Sequence, residues 1–221
     1  MASSSFASTS NARRSHRRRD NPPENVVWPT ESSLLIVDLE ATCWETNPPP
    51  NQFHEIIEIG WALVDLESVP PRHVRSGTVL VKPVRSEVSP FCTKLTTITA
   101  ELLDSEGVSL KEAFETLVSD VGSKEYSWSS WGAYDRNMIK RQCKVFGLES
   151  PFSPIHYNIK DLFKELYPNL NGGYGMTNAF AAVCDGPIEG THHRGGDDAK
   201  NIGTILGKLI VKKRALEASN P

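Results

Sequence analysis

The hydrophobic pattern changes character several times along the chain. Residues 1–30 are built from Ser, Arg, Asn and Pro, with almost no periodic apolar positions. So little apolar surface does not offset the entropy lost on ordering, and a disordered tail is expected. From Ser33 onward short apolar runs follow one another at 34–40, 56–66 and 74–81, with Pro48-Pro49-Pro50 and Pro70-Pro71 as breakers. Such runs read as strands, and three in succession read as a meander. Farther on, 110–121 and 134–146 have helical spacing, 127–131 and 157–159 read as short strands, and the second of these runs into a helix at 161–166. A last helix is expected from about 197 to about 213. A meander followed by alternating helices and strands predicts an α/β fold. Its mixed five-stranded sheet is antiparallel in the meander and parallel beyond it, with helices on its faces. The expected organisation is a tail over 1–30, a single folded domain over 31–213 and a C-terminal tail over 214–221.

Composition narrows the class. At 221 residues, 38% hydrophobic and 23% charged, the chain can bury a core without disulfide or metal staples. Cys43, Cys92, Cys143 and Cys184 are spread singly, with no Cys-x-x-Cys pair and no His at zinc-finger spacing, which fits a reducing compartment such as the cytoplasm. Apolar runs fall far short of the roughly 18 residues of a membrane span, and the N-terminus has no apolar signal region. Neither membrane insertion nor secretion by that route is expected. The Ser- and Arg-rich, acid-free residues 1–19 also fit an organelle transit peptide, the alternative to a cytoplasmic location. Charge is uneven: five arginines, Arg13, Arg14, Arg17, Arg18 and Arg19, make the tail basic, while the remainder carries 19 basic against 27 acidic side chains. The body therefore lacks the overall basic balance that marks many nucleic-acid binders.

The first strand ends Val37-Asp38-Leu39-Glu40, and alternation puts both carboxylates on one face at the end of a buried strand. Two neighbouring anions there repel and lose solvation unless a cation or a shared proton compensates them. Asp135 opens a helix whose buried stripe continues through Met138, Ile139, Cys143 and Phe146, so it leans toward the core; taken alone, such an Asp is a helix cap. The segment Thr191-His192-His193-Arg194-Gly195-Gly196-Asp197-Asp198 offers two His/Asp pairs of identical spacing. Periodicity chooses between the aspartates. Asp198 shares its face with Ile202, Ile205, Leu206 and Leu209, whereas Asp197 leads to Asn201, Thr204 and Lys208 and faces water. Four inward carboxylates and one His make an oxygen-rich set suited to magnesium or manganese rather than zinc. Two such ions about 3.5–4 Å apart hold an attacking water and a leaving oxygen around one phosphorus. His193, with an ordinary pKa of about 6.5, is placed to take the water's proton.

Asp38-x-Glu40, Asp135 and His193-x4-Asp198, in that order, resemble the DEDDh exonucleases. Asp38-Leu-Glu40-Ala-Thr-Cys-Trp, Glu55-Ile-Ile-Glu-Ile-Gly60, Phe91-Cys-Thr-x-Leu95-Thr-x-Ile-Thr99 and Gly195-x-Asp-Asp198-x-x-Asn201 are similar to the histone-mRNA 3′-end and RNA-interference-modulating subfamily, bacterial KapD-like proteins included. The resemblance covers about residues 33–213. It implies a ribonuclease H-like fold and two Mg2+ ions (or Mn2+), with Asp38, Glu40 and Asp198 on the first and Asp38 and, through water, Asp135 on the second. His193 would be the general base, the backbone at Ala41 and Thr42 would meet the terminal sugar, and Leu95 and Thr96, in the segment whose apolar residue packs on the last base, would meet that base. The implied activity is metal-dependent 3′-to-5′ hydrolysis of single-stranded RNA ends to nucleoside 5′-monophosphates. Phe91, Trp44 and Tyr174 are candidate stacking residues. The alternatives are a proofreading-type DNA exonuclease sharing the five catalytic positions, and a non-catalytic regulator that uses the fold to bind nucleic acid or protein.

Overall fold

The computed structural model describes residues 26–184 and 186–219. Strands β1 (Ser33–Ala41), β2 (Ile56–Asp65) and β3 (Arg72–Leu80) form the expected antiparallel meander. Strands β4 (Trp128–Ser130) and β5 (His156–Asn158) continue the sheet in parallel beyond β1, giving the order β3-β2-β1-β4-β5. The central position of β1 explains its unbroken apolar run. Leu34 and Ile36 belong to one core cluster and Leu35, Val37 and Leu39 to another, because a strand covered on both faces needs apolar side chains at every position. The first cluster lies under helices α5 (Ile159–Leu166), α6 (Met176–Val183) and α7 (Gly195–Ser219). The second lies under α3 (Leu110–Thr116) and α4 (Tyr134–Phe146). Asp38 and Glu40 continue the even-numbered face of β1, so they emerge on the side of α7.

Where the pattern and the structure differ, local hydrogen bonding is the reason. Helices α1 (Pro90–Thr96) and α2 (Ala100–Glu106) are too short to show a repeating apolar stripe and are set by their caps. The Ser89 side chain accepts from Cys92 N–H and the Thr99 side chain from Leu102 N–H. The segment expected to be helical over 110–121 opens with a Ser109/Glu112 capping box, and its last five residues, Leu117–Val121, form a π-helical turn. Helix α5 begins at Ile159, two residues early, because Asn158 accepts from Lys160 N–H.

Both ends of the folded part extend beyond the expected limits. Residues 1–25, where most of the expected N-terminal tail falls, lie outside the described residues. Trp28 Nε1 donates to Glu165 Oε2 at 3.0 Å, and Val26 packs against the first core cluster, so residues 26–30 join the domain. At the other end α7 runs past Lys213 to Ser219, and Arg214 Nη2 donates to the Leu66 carbonyl at 2.7 Å. No helix among the described residues is long and apolar enough to cross a membrane.

Candidate active site

Three elements far apart in sequence meet at the end of β1. Leu39 N–H donates to Asp135 Oδ1 at 3.1 Å, which ties the strand to the first turn of α4. On the other side α7 begins directly against β1 and β2. A Cβ on Gly195 would stand 2.9 Å from the Asp38 carbonyl oxygen, and a Cβ on Gly60 would overlap the backbone of Gly195 and Gly196. Glycine at these positions lets backbone meet backbone and brings Asp198 over the strand end. Asp38, Glu40 and Asp198 each then offer an oxygen within 4.8 Å of the others. Asp135, 4% exposed, stands just outside this trio, next to Asp38.

The electrostatics follow from burial. Burial, then Asp198, Glu58 and Asp135, pushes the Glu40 carboxyl from 4.5 up to about 8. Burial, then the charges of Asp135, Glu40 and Asp198, pushes Asp38 well above the usual carboxylate range, and burial raises Asp135 to about 6. Such a set is frustrated without cations, and hard divalent ions match its all-oxygen donors. The donor chemistry and the crowding therefore fit a metal centre, with Asp38, Glu40 and Asp198 as the residues able to hold an ion.

Both histidines of the 192–193 pair reach the site. His193 N–H donates to Asp198 Oδ2 at 2.9 Å, its φ is 62°, and its Nδ1 lies 4.0 Å from Glu40 Oε1. His192 Nδ1 lies 3.0 Å from Asp198 Oδ2, and the two rings stack at 3.8 Å. Burial first, then the neighbouring His192, holds His193 below its ordinary 6.5. Asp197 turns away as periodicity predicts, accepting from Thr191 N–H and pairing with Lys200 at 2.7 Å.

The candidate substrate residues divide. Helix α1 is fastened to the strand end by Ser89 Oγ, which donates to the Cys43 carbonyl, and by Cys92 Sγ, 3.6 Å from the Ala41 carbonyl. It leaves Phe91 and Leu95 partly open to solvent, at 38% and 37% exposure, so Leu95 is not a core residue. Ala41 is 7% exposed and Thr42 is fully buried. The Thr42 hydroxyl donates to the Phe53 carbonyl and accepts from Glu55 N–H. Thr96 is spent in the same way, donating to the Cys92 carbonyl and accepting from Ile98 N–H. Tyr174 is a packing residue: its ring meets Phe163 edge-on and its hydroxyl donates to the Pro168 carbonyl. Trp44 tilts against His54.

Two further residues matter that the sequence does not single out. Glu58, 1% exposed near the start of β2, accepts from Arg194 Nη2 at 3.0 Å, Gly195 N–H at 2.7 Å and Thr78 Oγ1 at 2.7 Å. It anchors the loop carrying His193 and the first turn of α7. A carboxylate inside an apolar strand is the available signal; its partner lies 136 residues away. Tyr134, 52% exposed immediately before Asp135, is the second. Burial of its hydroxyl raises its pKa to about 12, and the charges of Arg141, Asp135, Glu40 and Cys43 act on it, as they would on a group near the site.

Comparison with known proteins agrees with this geometry. The chain is 28% identical over 189 residues to 3'-5' exoribonuclease 1 of Homo sapiens, a match covering 80% of this chain and 52% of that protein. The chain thus spans about half the length of this relative. The structure of the nuclease domain of 3'hExo, a DEDDh family member, bound to rAMP superposes with a TM-score of 0.73 at 26% identity, covering 82% of this chain and 92% of that one. A 3'-exonuclease solved in recognition of the histone mRNA stem-loop superposes with a TM-score of 0.69 at 26% identity, covering 82% of each chain. The fold is accordingly ribonuclease H-like, and the DEDDh exonucleases it resembles are metal-dependent. The Exonuclease family model (RNase_T) matches residues 35–206, and with that span and the carboxylate cluster inside it the chain belongs to the exonuclease family.

Proposed function

We propose that this chain is a metal-dependent 3′-to-5′ exoribonuclease that hydrolyses single-stranded RNA ends to nucleoside 5′-monophosphates. The observation that carries the reading is the meeting of Asp38, Glu40 and Asp198 oxygens within 4.8 Å, with Asp135 and His193 beside them. Asp38, Glu40 and Asp198 would hold one Mg2+, and Asp38 with Asp135 a second, Mn2+ being the substitute. Bound there, the ions would activate a water and stabilise the leaving oxygen. His193, whose imidazole burial holds below its ordinary pKa, accepts the water's proton. Phe91 and Leu95 offer an apolar face to the last base. Thr42 and Thr96, whose hydroxyls are bonded internally, shape the pocket through the backbone around them. RNA as the substrate is favoured by the names of the relatives and by the neighbour solved with an RNA stem-loop.

The test is incubation with end-labelled single-stranded RNA and a matched DNA in magnesium. The expected result is stepwise shortening of the RNA from its 3′ end, stopped by EDTA and abolished by Asp38→Asn. Normal turnover by Asp38→Asn would remove the site assignment, and faster cutting of the DNA would replace the substrate.

A further inference from the structure

Helix α4 leaves the site at Asp135 carrying four basic side chains, Arg136, Lys140, Arg141 and Lys144, and no acid besides Asp135. Its core face is Asp135, Met138, Ile139 and Gln142, and the exposed Lys140, Arg141 and Lys144 lie on the opposite side. Elsewhere several basic side chains are matched by acids, Lys82 by Asp104, Lys111 by Glu115, Lys124 by Glu149 and Lys213 by Glu165. Those left without an acid among the described residues, such as Lys94, Lys160 and Lys208, do not share one face of a helix with three other basic side chains. Among the described residues, none of the four on α4 is in such a pair. The buried Nε of Arg136 also has no hydrogen-bond partner there. Like charges four positions apart, as in Arg136/Lys140 and Lys140/Lys144, repel and weaken a helix. This stripe stands out in a chain that, past residue 19, has 19 basic against 27 acidic side chains.

We propose that the solvent face of α4 is the track for the RNA strand on the 5′ side of the scissile bond, an inference that rests on the exoribonuclease reading. Phosphates of the strand meet Lys140, Arg141 and Lys144, and Tyr134 at the head of the helix offers its ring to a base beside the site. At about 1.5 Å of rise per residue, Lys140 and Lys144 are about 6 Å apart along the axis, close to the separation of successive phosphates in an extended strand. Lys144 lies about 14 Å beyond Asp135, so only a strand of several nucleotides reaches it. The track gives an otherwise acidic body its hold on a polyanion and leaves the sequence unread, since phosphate contacts position without specifying.

The experiment measures binding of a fluorescent single-stranded RNA in EDTA by anisotropy over a salt series, with hydrolysis in magnesium followed in parallel. It uses the full chain, the variant Lys140→Gln/Arg141→Gln/Lys144→Gln, and the control Lys82→Gln/Lys111→Gln/Lys124→Gln, which removes the same charge from paired positions. Each phosphate contact on a single strand contributes about 0.7 to the slope of log affinity against log salt. The α4 variant is expected to have a slope shallower by about 2. The unaltered protein then loses about 20-fold more affinity than the variant between about 50 and about 200 mM salt. In hydrolysis KM rises while kcat holds, and the control keeps the original slope. Equal slopes for the α4 variant and the unaltered protein, or the same flattening in the control, would overturn the track. Absence of hydrolysis by the unaltered protein in magnesium would overturn the exoribonuclease reading instead, whatever the slopes show.

Discussion

Stripped of divalent ions, the protein should become less stable as the pH rises from about 5 to about 8, and magnesium should restore about half of the loss. The cause is the crowded end of β1. A carboxyl whose folded pKa lies above its unfolded one keeps a proton in the folded state that the unfolded chain has already released. Between the two values the folded state binds more protons, so the free energy of unfolding falls with rising pH. For Glu40 the window runs from 4.5 to about 8. At 1.36 kcal/mol per pH unit that amounts to about 5 kcal/mol. Asp38 and Asp135 shift in the same direction. The carboxyls act on one another, so a proton on one relieves the rest, and about 5 kcal/mol stands for the cluster rather than for each member. For a domain of this size that corresponds to a fall of about 10–20 °C in Tm. Magnesium at about 100 times its Kd should return about 2.7 kcal/mol by binding only the folded state. Thermal unfolding followed across pH in EDTA and in magnesium is the assay. A Tm that is flat or rising from about pH 5 to about pH 8 in EDTA would refute the reasoning, as would a magnesium shift left intact in Asp198→Asn.

Three substitutions probe the rest of the site. His193→Ala should lower kcat by about 10²-fold or more, with His192→Ala less harmful; steady-state kinetics in magnesium decide, and the opposite order would hand the proton to His192. Gly60→Ala drives a methyl into the backbone of Gly195 and Gly196, so α7 must move off the sheet. The cost should be about 3 kcal/mol in denaturant unfolding, with kcat reduced about 10²-fold as Asp198 shifts, and unchanged kinetics would count against the close approach. Glu58→Gln keeps the shape of the anchor and removes its charge from Arg194. Stability should drop by about 1.5–3 kcal/mol in the same unfolding assay, and kcat should fall as the His193 loop loosens, whereas a variant matching the parent in both would deny Glu58 its anchoring role.

What the sequence discloses and withholds has a physical basis. Strand alternation and helix periodicity are local properties, so they place Asp38 and Glu40 on one face and turn Asp198 inward and Asp197 outward. The meander was legible for the same reason, since β1 and β2 have long apolar runs and breakers between them. Local pattern does not reveal which polar groups are already spent. The hydroxyls of Thr42 and Thr96, for example, are each bonded within the fold. Tyr174 reads as an aromatic platform, yet it packs against Phe163. Glu58 reads as one letter of a motif because its partner Arg194 meets it only through the tertiary fold. Helices α1 and α2 escape notice because a seven-residue helix depends on its cap more than on its stripe.

Helix α7, the last element of the described chain, supplies Asp198 and the loop just before it supplies His193, whereas Asp38 and Glu40 come from the first strand. A polypeptide that stops short of that loop and helix keeps Asp38, Glu40 and Asp135 and lacks His193 and Asp198. Without Asp198 the carboxylate cluster at the end of β1 cannot close, so it is assembled only when α7 docks against β1 and β2.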